Sequence, residues 1–335
     1  MTSSTTLPKP NPPVDSLFSP RVWIVVVGYN NALDSIECLQ SIRKSTYERL
    51  SILYVDNGSE SEEFDHVLAE IGGVAVVRHP KNVGVARGFN SGLAYALRRH
   101  ADYVMMVNND TLFDSDAVSQ MVQAALADPT IGIVVPKAFY FDDPKAIWAA
   151  GARYRRMPPA IILKKTREED DGRYDTEIDL EFTPFCVSLF SRELFHSVGL
   201  LDPEYHFFYE DYDLCLRAKA AGFRIRFEPR SHIWHKISKT IKAGEKVEFW
   251  RVYGRSHGIF CRKFSSHPYI ANRLSKWYLY ARTLYEGKFS ALRAFRNACR
   301  GGLTSKLRAP PRSDDVHEPR MVEIRPPGIS TRNEI

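Results

Sequence analysis

Residues able to do chemistry gather after short apolar runs. Tyr103 to Val107 reads as a buried strand, yet it finishes on Asn108-Asn109-Asp110. Asn and Asp are ordinary turn residues, and a turn alone would explain them. Asp110 is also a hard oxygen ligand, and Asn108 offers a neutral carbonyl oxygen two positions away. That pair suits Mg²⁺ or Mn²⁺ held by few protein atoms, with water and the oxygens of a nucleoside diphosphate filling the rest of the shell. Three further polar stretches follow apolar runs in the same way: Gly28-Tyr29-Asn30, Asp56-Asn57-Gly58-Ser59, and Asn82 to Gly92, "NVGVARGFNSG". In the last, Gly84, Gly88 and Gly92 recur every four residues. They permit close approach of another backbone, for tight helix–sheet packing or for a ligand. Arg87 could reach a phosphate, and the helix start near Val85 favours anions. No GxGxxG follows the first strand, which argues against a dinucleotide site.

A second group lies further on, in "HFFYEDYDLCLRAKAAG", His206 to Gly222. Glu210, Asp211 and Asp213 open a helix, where the dipole favours carboxylates, and capping would account for them. Phe207, Phe208 and Tyr209 precede them. A carboxylate beside aromatic rings can be partly desolvated and poised as a general base. His232 and His235 follow the next strand. A histidine there becomes a ligand candidate only beside another metal ligand.

The elements that must carry these residues alternate. Strands are expected at 22–27, 50–56, 74–79, 103–107 and 131–136, with helices at 35–45, 62–71, 86–100 and 116–127. Strands apolar on both faces, separated by helices, imply a parallel sheet covered by helices. In such a sheet, ligands bind beyond the carboxyl ends of the strands, where the four polar stretches fall. Residues 153–182 are charged and Pro-containing and read as a loop or hairpin region. A helix over 211–221 and a strand over 223–229 follow.

The chain has 335 residues, enough for one large domain with an appendage. Its five cysteines form no CxxC pair, so neither a disulfide framework nor a structural zinc site is expected, and a reducing compartment is. Residues 1–20 lack the layout of a signal peptide and read as disordered. No apolar run approaches the roughly 20 residues of a membrane span. The net charge of +6 is uneven: residues 251–312 hold 14 Lys or Arg against one acid, a net +13, which leaves −7 elsewhere. Such a basic stripe is either a solvated helix face or a surface for phosphate-rich partners. Residues 309–335 read as a disordered tail.

Together "VVVGYNN", "ILYVDNGS", "NVGVARGFNSG", "VNNDT", "FFYEDYDLCLRAKAAGF" and "HIWHKIS" resemble, in order, the motifs of the family-2 glycosyltransferases of the GT-A fold. The likeness is greatest to the bacterial rhamnosyltransferase-like and galactofuranosyltransferase-like members. It spans about residues 21–240. The resemblance implies a Rossmann-like, mostly parallel α/β sheet over 21–245, followed by a basic helical extension over 246–308. It places Tyr29, Asn30, Asp56, Asn82, Gly84, Arg87, Asn108 and Asn109 around the donor nucleotide. It puts Asp110 on the metal, Mg²⁺ or Mn²⁺, with His235 matching a histidine ligand of some relatives. Asn108 replaces the first Asp of the family's Asp-x-Asp pattern. Asp211 would be the base, assisted by Glu210 and Asp213. The implied reaction is an inverting transfer from a dTDP- or UDP-sugar, dTDP-rhamnose ahead of the others. The acceptor would be a glycan or polyprenyl-diphosphate-linked hydroxyl in cell-surface polysaccharide synthesis. A cytoplasmic enzyme is implied, peripheral at an anionic membrane surface through its basic helices, with no nucleic-acid partner.

Two other classes fit less well. A sugar nucleotidyltransferase would carry a Gly-rich basic loop after the first strand, where this chain has "GYNNALDS". A non-enzymatic nucleic-acid or anionic-surface binder would account for the basic stripe but not for the acidic motifs of the remainder.

Overall fold

The computed structural model describes residues 19–150, 152–156, 159–163, 167–236, 247–274, 277, 289–317 and 321–322. The first half is a βα ladder. Strands β1 (Val22–Gly28), β2 (Leu50–Asp56), β3 (Ala75–Arg78) and β4 (Tyr103–Asn108) alternate with helices α1 (Ala32–Ile42), α2 (Ser61–Glu70) and α3 (Val85–Arg98). These strands lie parallel in the order β3-β2-β1-β4. Both sheet faces are covered. Val22, Ile24 and Val26 face one apolar layer with α1 and α2, and Val25 faces another with α3. A Cβ on Gly92 would lie 2.2 Å from Val25 Cγ1, and one on Gly88 3.2 Å from Val27 Cγ1. Those two glycines therefore serve helix–sheet packing rather than a ligand.

Past β4 the sheet becomes mixed. The short β5 (Thr111–Phe113) and α4 (Ala117–Leu126) lead to β6 (Ile131–Tyr140). Next come β7 (Ala146–Ala149), the hairpin β8 (Ala152–Arg156) and β9 (Pro159–Leu163), and the short β10 (Glu168–Glu169) and β11 (Ile178–Asp179). Strand β12 (Val187–Ser191), buried throughout, then inserts antiparallel between β4 and β6. The expectation of a mostly parallel sheet thus holds for the first four strands. Beyond them, antiparallel β12, β7 and β5 alternate with strands running with β4. After α5 (Arg192–Val198) and α6 (Glu210–Ala220), the long β13 (Arg224–His235) runs parallel to β6 and antiparallel to β5.

The basic helices α7 (Val247–Phe264) and α8 (Phe289–Thr304) pack closely on each other. A Cβ on Gly254, Gly258 or Gly302 would come within 2.2–2.6 Å of the partner helix's backbone. Ile259 and Phe260 of α7 join the apolar layer of α3, so this extension shares the main core. Residues 309–317 and 321–322 depart from the expected disorder. The Arg98 guanidinium donates to the carbonyls of Ser313 and Val316 at 2.7 and 3.1 Å, and Leu200 N–H donates to Pro311 O. Strand β14 (Met321–Val322) pairs with the edge of β3. Composition signals disorder only where no core is within reach, and here α3 offers one. Residues 1–18, the remainder of the tail and most of the α7–α8 connection lie outside the described residues. All five cysteines are free and buried.

Candidate active site

A cleft of about 460 Å³ opens beyond the carboxyl ends of β1, β2 and β4. The loop after β1 enters through Asn30 and Asn31, both left-handed at φ 54°. This conformation is open to Asn at small cost. Asn30 spends its polar groups on the neighbouring loop: its N–H donates to Ser59 Oγ and its Oδ1 accepts from Glu60 N–H. Tyr29 and Asn31 are left facing the cleft, Tyr29 being 47% exposed.

Asp56 is wholly buried at the end of β2, braced by Ser59 N–H and 3.3 Å from Arg78 Nε. Burial raises its pKa, opposed by the Ser59 hydrogen bonds and Arg78. It organises the turn and does not line the cleft, which Asn57 does. Asn57 and Asn82 then shape the entry to α3. Asn57 Oδ1 accepts from Val83 N–H, and Asn82 Oδ1 accepts from Gly84 N–H at 2.9 Å. Gly84 has φ 89°, and a Cβ there would sit 2.5 Å from His206 Nδ1 and 2.6 Å from its carbonyl. Only glycine fits this crossing. Arg87 is exposed and outside the lining, near enough to His206 to help burial lower that imidazole's pKa.

The floor of the cleft holds Asn108, Asn109, Asp110 and His235. The Asn109 amide donates to Ser35 Oγ at 2.8 Å, which fixes the loop on α1. Pairing of β5 with β13 sets His235 opposite Thr111, and so beside Asp110 across 125 positions of sequence. His235 Nε2 lies 3.1 Å from Asp110 Oδ1, both residues 6% exposed. Edge-on contact with Trp148, centroids 4.5 Å apart, holds the imidazole ring. His232 instead turns to Pro229 O at 3.0 Å and packs against Phe139. Adjacent ligands of an octahedral ion with bonds of about 2.1 Å are separated by about 3 Å. The Asp110–His235 spacing fits that edge. Among the described residues no third His, Cys, Asp or Glu joins them, so an ion here would draw its remaining ligands from water and substrate.

The opposite wall is His206, Phe207 and Phe208. Phe208 and Tyr209 are consecutive non-glycine residues at φ 69° and 70°, a costly arrangement that surrounding contacts must enforce. Val85 N–H donates to His206 O at 2.7 Å, Ser256 Oγ to Phe207 O at 2.8 Å, and the Tyr209 hydroxyl bonds Tyr253 and His257 of α7. The elbow is thus clamped between α3 and α7. It turns directly into α6, whose first two residues are Glu210 and Asp211. Asp211 Oδ1 accepts from Tyr212 N–H at 2.8 Å, and Glu210 Oε2 is buried without a partner among the described residues. Among the described residues no cationic side chain pairs with either. Burial pushes Asp211 up to about 7, and burial together with the Asp211 charge pushes Glu210 up to about 8. Both carboxyls are thus held above the ordinary carboxylate range, and neither lines the cleft itself, whose His206–Phe208 wall they directly follow in the chain.

Asp213, expected beside them, points elsewhere. Its fully buried carboxylate is ion-paired with Arg217 and Lys263, and Lys263 also binds Asp202 at 2.8 Å. That cluster ties α6 to α7. Sequence reasoning missed the cleft's apolar wall, His206 to Phe208 with Phe249 and Val252 of α7. The aromatic run beside Glu210 was its only visible trace.

Comparisons with known proteins bear on the family and the fold. The family model described as glycosyl transferase family 2 matches residues 23–199. A dTDP-rhamnosyl transferase, RfbF of Shigella flexneri, is 24% identical over 234 residues, covering 66% of this chain and 71% of that protein. A pre-mycofactocin glycosyltransferase of Mycobacterium tuberculosis is 27% identical over 218 residues, 64% of this chain but only 42% of the relative's length. Among solved structures, the mannosyltransferase PcManGT from Pyrobaculum calidifontis in complex with GDP-Man and Mn²⁺ superposes with a TM-score of 0.52 at 18% identity, over 89% of this chain and 80% of that one. GalNAc-T7 with UDP, GalNAc and Mn²⁺ gives 0.56 at 17% identity, over 75% and 50%. With more than half of its length matched by the family model and a GT-A architecture beneath it, the chain belongs to glycosyltransferase family 2.

Proposed function

We propose that the protein is an inverting, metal-dependent hexosyltransferase. It moves a sugar, rhamnose first among the candidates, from a dTDP- or UDP-linked donor to a hydroxyl of a glycan or polyprenyl-diphosphate-linked acceptor in cell-surface polysaccharide synthesis. The placement of Asp211 supports this most directly: a carboxylate without a cationic partner among the described residues, at the start of α6 just past the strained Phe208–Tyr209 elbow, whose Phe208 lines the cleft. Asp211 takes the proton of the acceptor hydroxyl as that oxygen bonds to the anomeric carbon. The bond from that carbon to the donor diphosphate breaks on the opposite face, inverting the configuration. Glu210, whose own pKa the Asp211 charge helps to raise, stands beside the base and assists it. Asp110 and His235 would hold Mg²⁺ or Mn²⁺, which supplies charge neutralisation for the departing diphosphate. Tyr29 offers a ring at the mouth for the base, and the Asn57–Asn82 pair fixes the loop facing the phosphates. The likeness to a dTDP-rhamnosyl transferase supports the donor choice.

No helix among the described residues is long and apolar enough to cross a membrane. The exposed Arg293, Arg296 and Arg300 on α8 favour peripheral attachment to an anionic surface at the cytoplasmic face. The deciding experiment is Asp211→Asn assayed with a panel of nucleotide sugars. Transfer should fall by about three orders of magnitude, the middle of the range for general-base loss, while nucleotide binding stays within a few-fold. Near-normal turnover would remove Asp211 as the base.

A further inference from the structure

A second cavity of about 590 Å³ runs between α7 and α8. One stripe of each helix builds it. Residues 248, 251, 252 and 255 on α7 face 293, 294, 297, 298 and 301 on α8, all at helical spacing. Its floor is apolar, with Val252, Ala294 and Ala298, and its rim carries Arg251, Arg255 and Arg293. Glu248 and Val252 line this groove and the donor cleft alike, so the two cavities adjoin. Arg251 pairs with Glu248 at 3.0 Å and Arg255 with Glu204 at 2.9 Å, both at exposed positions. Exposed pairs of this kind hold their partners weakly. Arg293 is exposed and has no carboxylate partner among the described residues.

An apolar trough with an arginine rim matches an amphiphile whose apolar chain ends in phosphate, since guanidinium forks recognise phosphate oxygens in bidentate fashion. We propose that this groove binds the isoprenoid phosphate or diphosphate portion of the acceptor, with Arg251 and Arg293 on the phosphates. The acceptor hydroxyl would then be delivered past Val252 into the cleft. This inference rests on the glycosyl-transfer reading above and specifies its acceptor side.

The test uses the full chain with the donor cleft saturated by UDP, and farnesyl diphosphate as probe. Saturable binding is expected. Arg293→Glu and Arg251→Glu should each weaken it by about ten-fold or more, the worth of one charge-assisted contact. Ala298→Trp, which fills the floor, should also weaken it, and thermal melting would verify that every variant is folded. Three results would overturn the proposal: unchanged affinity in the variants, inorganic diphosphate binding as tightly as the farnesyl probe, or binding to phosphatidylglycerol vesicles without any to farnesyl diphosphate. UDP affinity, measured in parallel, reports on the glycosyltransferase reading separately. Its absence would count against donor binding even where the groove binds the probe.

Discussion

Asp213→Asn separates a structural carboxylate from the proposed base lying two residues away. In the fold, Asp213 is fully buried and accepts from both Arg217 and Lys263. Lys263 also holds Asp202, itself 2% exposed, while Arg217 reaches the carbonyls of Val198 and Leu200 at 2.7 and 2.9 Å. Two cations thus meet two carboxylates away from water. Neutralising one carboxylate leaves a net positive buried cluster, and breaking a buried pair from one side costs about 3–5 kcal/mol. Lys263 keeps Asp202 and Arg217 keeps its backbone carbonyls, which argues for the lower end, about 3 kcal/mol. For a domain of this size that corresponds to a fall in Tm of very roughly 10 °C. Denaturant melts followed by tryptophan fluorescence give the free energy. Transfer assays at a temperature where the variant remains folded give kcat. The expected result is a destabilised enzyme whose kcat stays within a few-fold of the parent. Unchanged stability with transfer abolished would refute the ion-pair assignment and return Asp213 to the catalytic group.

Three other outcomes are expected. Burial raises the folded pKa of Asp211 and Glu210 above their unfolded values, so their protonated forms favour the fold. Their contribution is complete below the ordinary carboxylate range and is lost as pH rises to about 7 and 8; Glu210→Gln should flatten that decline in urea melts, and a decline as steep as the parent's would disprove the linkage. Asp110→Asn and His235→Ala should each weaken Mn²⁺ binding in the presence of UDP, by more than the roughly 10–100-fold that loss of an outer-sphere partner costs, as calorimetry would register. Gly84→Ala must place a Cβ against His206 at positive φ; at least about 1 kcal/mol of stability should be lost, with weaker nucleotide binding because His206 lines the cleft.

Local patterns were the legible part of this sequence. The expected strands at 50–56 and 103–107 and the helix at 86–100 agree with β2, β4 and α3 to within a residue or two. Each βα unit declares itself through its own periodicity. Insertion of β12 between β4 and β6 was not legible, because it depends on pairing across some 80 positions and on burial along both faces. The same limit applied to the site. Asp110 stood out by type and position, whereas Asp211 and His235 were singled out only through the family resemblance. The choice between His232 and His235 needed the register of β13 against β5, and the role of Asp213 needed Lys263, 50 residues onward. Asp56, Asn30 and Asn82 carry the right chemistry for a ligand and largely spend it on neighbouring loops. Residue type alone cannot distinguish a group that touches substrate from one that shapes the loop doing so.

The pairing of β14 with β3 has a consequence for biosynthesis. During synthesis the βα ladder can assemble as soon as its first hundred or so residues emerge, since β1 to β4 pair directly with one another in the order β3-β2-β1-β4. The outer hydrogen-bonding groups of β3 stay unmatched until Met321 and Val322 have been made, and Arg98 waits as long for Ser313 and Val316. A nascent chain therefore spends most of its translation with one side of the sheet open to any passing strand. The ribosome-bound stage, rather than the finished enzyme, is where association with other copies or capture by a holdase chaperone should concentrate.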